Sequence, residues 1–180
     1  MTSILKVSTI QNTAGGAPTA ADLGLNVAGS VVQVVQSVMT TYSSSTSSSW
    51  ADVGLSASIT PSSSSNKILV LVDVMYSHEP TYSGCMLRLQ RDASTIYYSA
   101  GGYGAAAFAG SDNTVSGKTW VTTRVPANYL DSPASTSSVA YKIQFTSLQS
   151  VYIGVNRTQR VDGTYDPAGA STITLMEIAQ

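Results

Sequence analysis

One ten-residue stretch, Lys67–Tyr76 (KILVLVDVMY), constrains this chain more than any other. Successive side chains of a strand alternate faces, so Ile68, Val70, Val72, Val74 and Tyr76 fall on one side and Leu69, Leu71, Asp73 and Met75 on the other. An antiparallel strand with one wet face alternates apolar with polar residues; here only Asp73 interrupts the apolar run. The pattern predicts a strand in the middle of a sheet, covered on both faces. One cover is the domain's own second sheet. The other is expected to be another copy of the chain.

From Val31 onward the chain reads as strand after strand. The periodicity predicts strands over Val31–Tyr42, Trp50–Thr60, Lys67–Tyr76, Cys85–Arg91, Ser94–Ser99, Lys118–Val125, Val139–Phe145, Val151–Val155 and Thr172–Ile178. Ser43–Ser49, Pro61–Asn66 and Pro126–Ser138 read as turns or loops, rich in Ser, Thr and Pro. Ala100–Gly117 and Asn156–Ala170 read as long loops, and loops of that length are usually functional or disordered. About nine strands with no helical period make an all-β antiparallel β-sandwich of jelly-roll type. Residues 31–180 are expected to form that domain. Residues 1–30 read as an arm: Ile4, Leu5, Val7 and Ile10 are apolar, and the turn-rich Asn12–Pro18 follows them. Too apolar for a plain tail and too short to fold alone, the arm is expected to dock on something.

Composition excludes several functions. Nine Lys/Arg against ten Asp/Glu give a net charge of −1, with no basic patch, so no nucleic-acid partner is expected. Charged residues make up 11% of the chain, against roughly 25% in an ordinary soluble domain. A surface of hydroxyls and small side chains is left, as on extracellular β-proteins and virion proteins. No apolar run reaches the roughly 20 residues of a membrane-spanning helix, and the start lacks the pattern of a signal peptide. Membrane insertion is not expected, and release by lysis is the expected route out of a cell. Cys85 is the single cysteine, which rules out an intrachain disulfide and reads as a buried thiol.

Two segments carry a resemblance. Ser3–Gly16 (SILKVSTIQNTAGG) with Leu25–Gln36 (LNVAGSVVQVVQ), and Ile59–Val74 (ITPSSSSNKILVLVDV), resemble bacteriophage virion proteins of the kind found in phages of marine bacteria and cyanobacteria. The likeness is clearest over the first 36 residues and Ile59–Val74, and elsewhere is one of style. It implies a tail fibre, spike or capsid decoration protein located in the virion. It also implies a domain similar to the trimeric jelly rolls of the tumour-necrosis-factor and complement heads. The implied partners are sister chains in a homotrimer, other virion proteins of tail or capsid, and a host surface glycan.

Enzyme constellations are thin. His78 is the only histidine, so a Ser-His-Asp triad could be built only around it, and Ser77-His78-Glu79 reads more simply as a polar strand end. Asp162, Asp166 and Glu177 could flank a sugar as paired carboxylates, but Asp162-Gly163 and Asp166-Pro167 are ordinary turn chemistry. Asp112, Asn113, Asp162 and Asp166 offer oxygens to calcium without a regular calcium spacing. No cofactor, metal or catalytic residue is expected. Asn156-Arg157-Thr158 matches the N-glycosylation pattern, which would be accidental in a phage protein.

The aromatic residues carry more weight. Ten tyrosines suit interfaces, because tyrosine combines rigid apolar area with a hydroxyl. Leu69, Leu71, Met75, Tyr98 and Tyr152 are the candidate trimer interface. The loop aromatics Tyr103, Phe108 and Tyr165 are candidates for touching a receptor, which leaves a carbohydrate-binding module as an alternative class.

Overall fold

The computed structural model describes residues 8–18, 22–23, 27–78, 84–97, 107–110, 122–160, 164, 166 and 168–180. Eleven strands lie among them: β1 Val31–Met39, β2 Ser43–Ser45, β3 Ala51–Ile59, β4 Lys67–His78, β5 Cys85–Arg91, β6 Ser94–Tyr97, β7 Ala109–Gly110, β8 Thr123–Asp131, β9 Val139–Ser147, β10 Ile153–Val155 and β11 Ser171–Ile178. All pairings are antiparallel, and the strands form two sheets packed as a sandwich.

The first sheet is built on β4. Strand β8 runs along one edge of it, from Ile68 to Tyr76. On the other edge β11 pairs with Lys67–Asp73 and β10 with Tyr76–His78. Strand β1 continues the sheet beyond β11, and β2 beyond β10. The second sheet runs β3-β9-β5, with β6 and β7 sharing the far edge of β5. The chain crosses between sheets repeatedly: β1 and β4 lie in the first, β3 and β5–β6 in the second, β8 and β11 in the first, β9 in the second.

The core lies between them and follows the period of two. Ile68, Val70, Val72 and Val74 of β4, with Ile173 and Leu175 of β11, meet Val53, Leu55 and Ile59 of β3, Leu87 and Leu89 of β5, and Tyr141, Ile143 and Phe145 of β9. All are buried, each contributing roughly 1.5–3 kcal/mol by leaving water. Cys85 is buried too, a structural thiol.

Three polar clasps fix the strands around this core. The Asp131 carboxylate, at the end of β8, accepts from the Arg91 guanidinium at 2.8 and 2.9 Å and from the Tyr141 hydroxyl at 2.7 Å, tying the first sheet to the second. Burial, reinforced by that carboxylate, pushes the Tyr141 hydroxyl far above its ordinary pKa. The fully buried Glu177 accepts from Ser62 N and Oγ, Asn66 Nδ2 and Gln33 Nε2. Burial alone would raise its pKa, but the hydrogen bonds from Asn66, Gln33 and Ser62 together hold it below the usual carboxylate value. Asn156, buried and left-handed at φ 66°, donates to Met39 O and Thr41 O and accepts from Ser171 Oγ.

Several sequence expectations are corrected. Pro126 sits inside β8, opposite Asp73, rather than opening a turn. Strand β8 is an edge strand among the described residues, where half the N–H groups have no partner strand and proline is tolerated. Ser43–Ser45, read as loop, pairs with β10, and Ala109–Gly110, inside a predicted loop, pairs with β5. Asn156, assigned to a loop, is a core residue, and its side-chain amide is fully engaged, so the glycosylation pattern is shut off.

Candidate interaction surface

The strand register assembles a surface that sequence spacing alone does not display. Val34 of β1 lies opposite Met176 of β11, Met176 opposite Leu69 of β4, and Leu69 opposite Leu130 of β8. Residues directly opposite share a face, so these four form one apolar row across four strands on the side of the first sheet away from the core. The next row is Gln36, Thr174, Leu71 and Asn128; the one after is Val38, Thr172, Asp73 and Pro126. Val34 and Val38 are each 54% exposed and Leu130 49%, while Leu69, Leu71 and Met176 are half-buried by their neighbours. Asp73 carries the one negative charge of these three rows, and Arg124 neutralises it at 2.6 Å.

The second sheet's outer face is built differently. There Asp52 meets Lys142 at 3.0 Å and also accepts from Gln144, whose hydrogen bond is the main cause that lowers the Asp52 pKa. Arg88 donates to the Gln144 Oε1 at 2.6 and 2.9 Å and lies 4.3 Å over the Trp50 ring. Charges and amides satisfy one another on that face. On the first sheet's face valine, leucine and methionine stand in water. An exposed apolar row of that kind is a candidate interaction site.

The predicted site residues divide. Leu69 and Leu71 lie on this face. Met75 belongs to the same side of β4 but is 8% exposed, because Gly169 packs directly on its sulfur, so it is covered within one chain and has little area to offer a partner. Tyr152 is half-buried over Gly154, and its hydroxyl donates to Thr158 O at 3.3 Å. Phe108 packs against the core with its ring stacked on Tyr97 at 5.9 Å, so its ring faces its own chain rather than a free loop surface. Ile10 is 56% exposed. Ile4, Leu5, Val7, Tyr98, Tyr103 and Tyr165 lie outside the described residues. Val34, Val38, Met176 and Leu130 were not singled out by spacing, since their juxtaposition exists only once β1, β11, β4 and β8 are in register.

The carboxylates considered for catalysis do not converge. Glu177 lies opposite Ile68, at the start of β4, closed in by Ser62 and Asn66, whereas Asp166 pairs with Arg160 at 2.7 Å in the segment between β10 and β11. Strand β10 lies at the other end of β4. Asp162 lies outside the described residues. His78 stacks on Tyr76 at 5.8 Å, and the Ser77 hydroxyl donates to Arg157 O at 2.6 Å. Among the described residues no group of three His, Cys, Asp or Glu side chains could hold a metal ion. Compared with protein-family models and with curated protein sequences, the chain matches none.

Proposed function

We propose that this protein is a non-enzymatic structural subunit of a bacteriophage particle. It acts as a homotrimeric fibre- or spike-type component that docks through residues 1–30 and projects its β domain. The observation that carries this reading is the Val34–Met176–Leu69–Leu130 row on the outer face of the first sheet. Strand spacing of roughly 4.8 Å and a two-residue rise of roughly 6.8 Å make the three rows about 15 Å on a side. An apolar centre of that kind is to be completed by a polar rim. The face has no unbalanced charge in these rows, so copies of it meet without like-charge repulsion.

Two further observations support the reading. The strand orders β1-β11-β4-β8 in one sheet and β3-β9-β5-β6 in the other support a jelly-roll reading of the sandwich. The Ser3–Gly16 and Ile59–Val74 segments resemble those of phage virion proteins.

Sedimentation of the purified protein tests the assembly. A trimer is expected at micromolar concentration, and Met176→Lys, which places a charge in the middle of the row, is expected to give a folded monomer with unchanged circular dichroism. A wild-type protein that stays monomeric at that concentration ends the argument. Binding of full-length protein and a variant lacking residues 1–30 to empty heads and to tail assemblies separates fibre from capsid decoration.

A further inference from the structure

The guanidinium of Arg157 is held in place and, among the described residues, makes no hydrogen bond. Its backbone is pinned on both sides. Asn156 before it is locked to Met39 O and Thr41 O, and its own N–H donates to Met75 O at 2.8 Å. The Arg157 carbonyl accepts from Ser77 Oγ, and the Thr158 carbonyl from the Tyr152 hydroxyl. The side chain then lies over the Tyr42 ring, its guanidinium carbon 3.5 Å from the ring centroid.

Among the described residues, every other arginine has its donors on a side-chain acceptor: Arg88 on Gln144, Arg91 on Asp131, Arg124 on Asp73 and Arg160 on Asp166. Arg157 has none. Its Nε is buried and donates to nothing, and the next residue's Oγ1 is buried without a partner as well. A buried unpaired donor costs roughly 1–3 kcal/mol, a cost an evolved surface does not keep without a reason. The ring holds the cation in place, so an incoming oxyanion finds its donors already positioned. Tyr42 is 60% exposed, which leaves apolar ring area beside the cation, and Ser43–Ser45 follow it on β2. An anion carried on a sugar ring uses both features: the guanidinium takes the carboxylate, and the tyrosine takes the ring's C–H face.

We propose that Arg157 and Tyr42 form a recognition site for a carboxylated saccharide. The site is complete within one chain, so it stands apart from the assembly proposal and survives its failure. Titration of the intact protein with oligogalacturonate, followed by calorimetry and by the Arg157 Nε–H proton resonance, tests it. Binding at least tenfold tighter than to neutral maltohexaose is expected. Arg157→Gln is expected to weaken it tenfold or more, Arg157→Lys less, and Tyr42→Ala several-fold. Arg124→Gln, whose guanidinium is paired with Asp73, is expected to leave it unchanged. Among the described residues the Arg157 side chain contacts the Tyr42 ring and makes no hydrogen bond, so its variants should melt within a few degrees of wild type, and melting is measured alongside. Equal binding of maltohexaose, or unchanged affinity in folded Arg157→Gln, overturns the proposal. Sulfate binding at Arg157 as tightly as oligogalacturonate overturns the saccharide assignment.

Discussion

Replacing Glu177 by glutamine is a near-isosteric change whose cost can be worked out atom by atom. Oε1 accepts from Ser62 N at 2.7 Å, Ser62 Oγ at 2.7 Å and Asn66 Nδ2 at 2.6 Å, and Oε2 accepts from Gln33 Nε2. A glutamine keeps its oxygen where three donors converge, so its NH2 must point at Gln33. Gln33 cannot simply turn over to accept, because its Nε2 also donates to Thr60 O at 2.8 Å. One bond is therefore lost, worth about 1 kcal/mol, and three fall from charge-assisted to neutral strength at about 1 kcal/mol each. Easier burial of a neutral amide offsets part of this, leaving a loss of about 2 kcal/mol near pH 7. For a domain of this size that lowers Tm by about 4–8 °C.

The pH dependence has a definite sign. The folded carboxyl titrates below its ordinary value of 4.5. Its contribution is fully present above that value and is lost as pH falls toward the folded pKa. Urea denaturation of wild type and Glu177→Gln between pH 7 and pH 3.5 should show the gap narrowing below about pH 4.5. A gap that stays constant over that interval refutes the view that Glu177 is held ionised by its donors.

Asp131→Asn should cost about 1–2 kcal/mol in urea denaturation, because the amide oxygen can replace Oδ2, which serves Arg91 and Tyr141, but the NH2 then faces Arg91 Nη1 and the charge is lost, and Tyr141→Phe should cost about 1 kcal/mol. Asn156→Ala strips hydrogen-bond partners from Met39 O, Thr41 O and Ser171 Oγ and forces alanine to φ 66°, a loss of about 4 kcal/mol; Asn156→Gly, which accepts that φ, should lose less. Intact-mass analysis after expression in a glycosylating host should find no glycan on Asn156. Gly169→Ala sets a methyl group against the Met75 sulfur and should destabilise by about 1–3 kcal/mol, read as a lowered melting temperature.

The sandwich was legible because its signal is local. Val53, Leu55, Ala57 and Ile59 alternate with Gly54, Ser56 and Ser58 so regularly that β3 could be drawn from spacing, and all four are buried. Tyr141, Ile143 and Phe145 did the same for β9. Pro126 misled because proline signals a turn wherever the sheet's edges are unknown; its place in β8 depends on β8 having a partner on one side alone among the described residues. Ser43–Ser45 has no apolar period to read and is a strand only because β10 stands beside it. Asn156 looked like a loop residue because asparagine tolerates left-handed backbone, and nothing in the sequence shows its amide reaching β1.

The outer apolar face of the first sheet was legible in half. Reading Lys67–Tyr76 as apolar on two faces identified Leu69 and Leu71, since that needs only the period of a strand. Met75 obeyed the same period but met Gly169, about ninety residues on, and period carries no knowledge of such a contact. Val34, Met176 and Leu130 required the opposite kind of information: which residue of one strand faces which of the next. A shift of one residue between β1 and β11 would place Val34 opposite Leu175 or Glu177 and break the row. The Glu177 clasp opposes that slip, because Gln33 on β1 bonds the carboxylate of β11 directly, one pair away from Val34 and Met176. A buried charge thus fixes the register on which the exposed apolar row depends. Loosening the clasp should disorder that face before it unfolds the core.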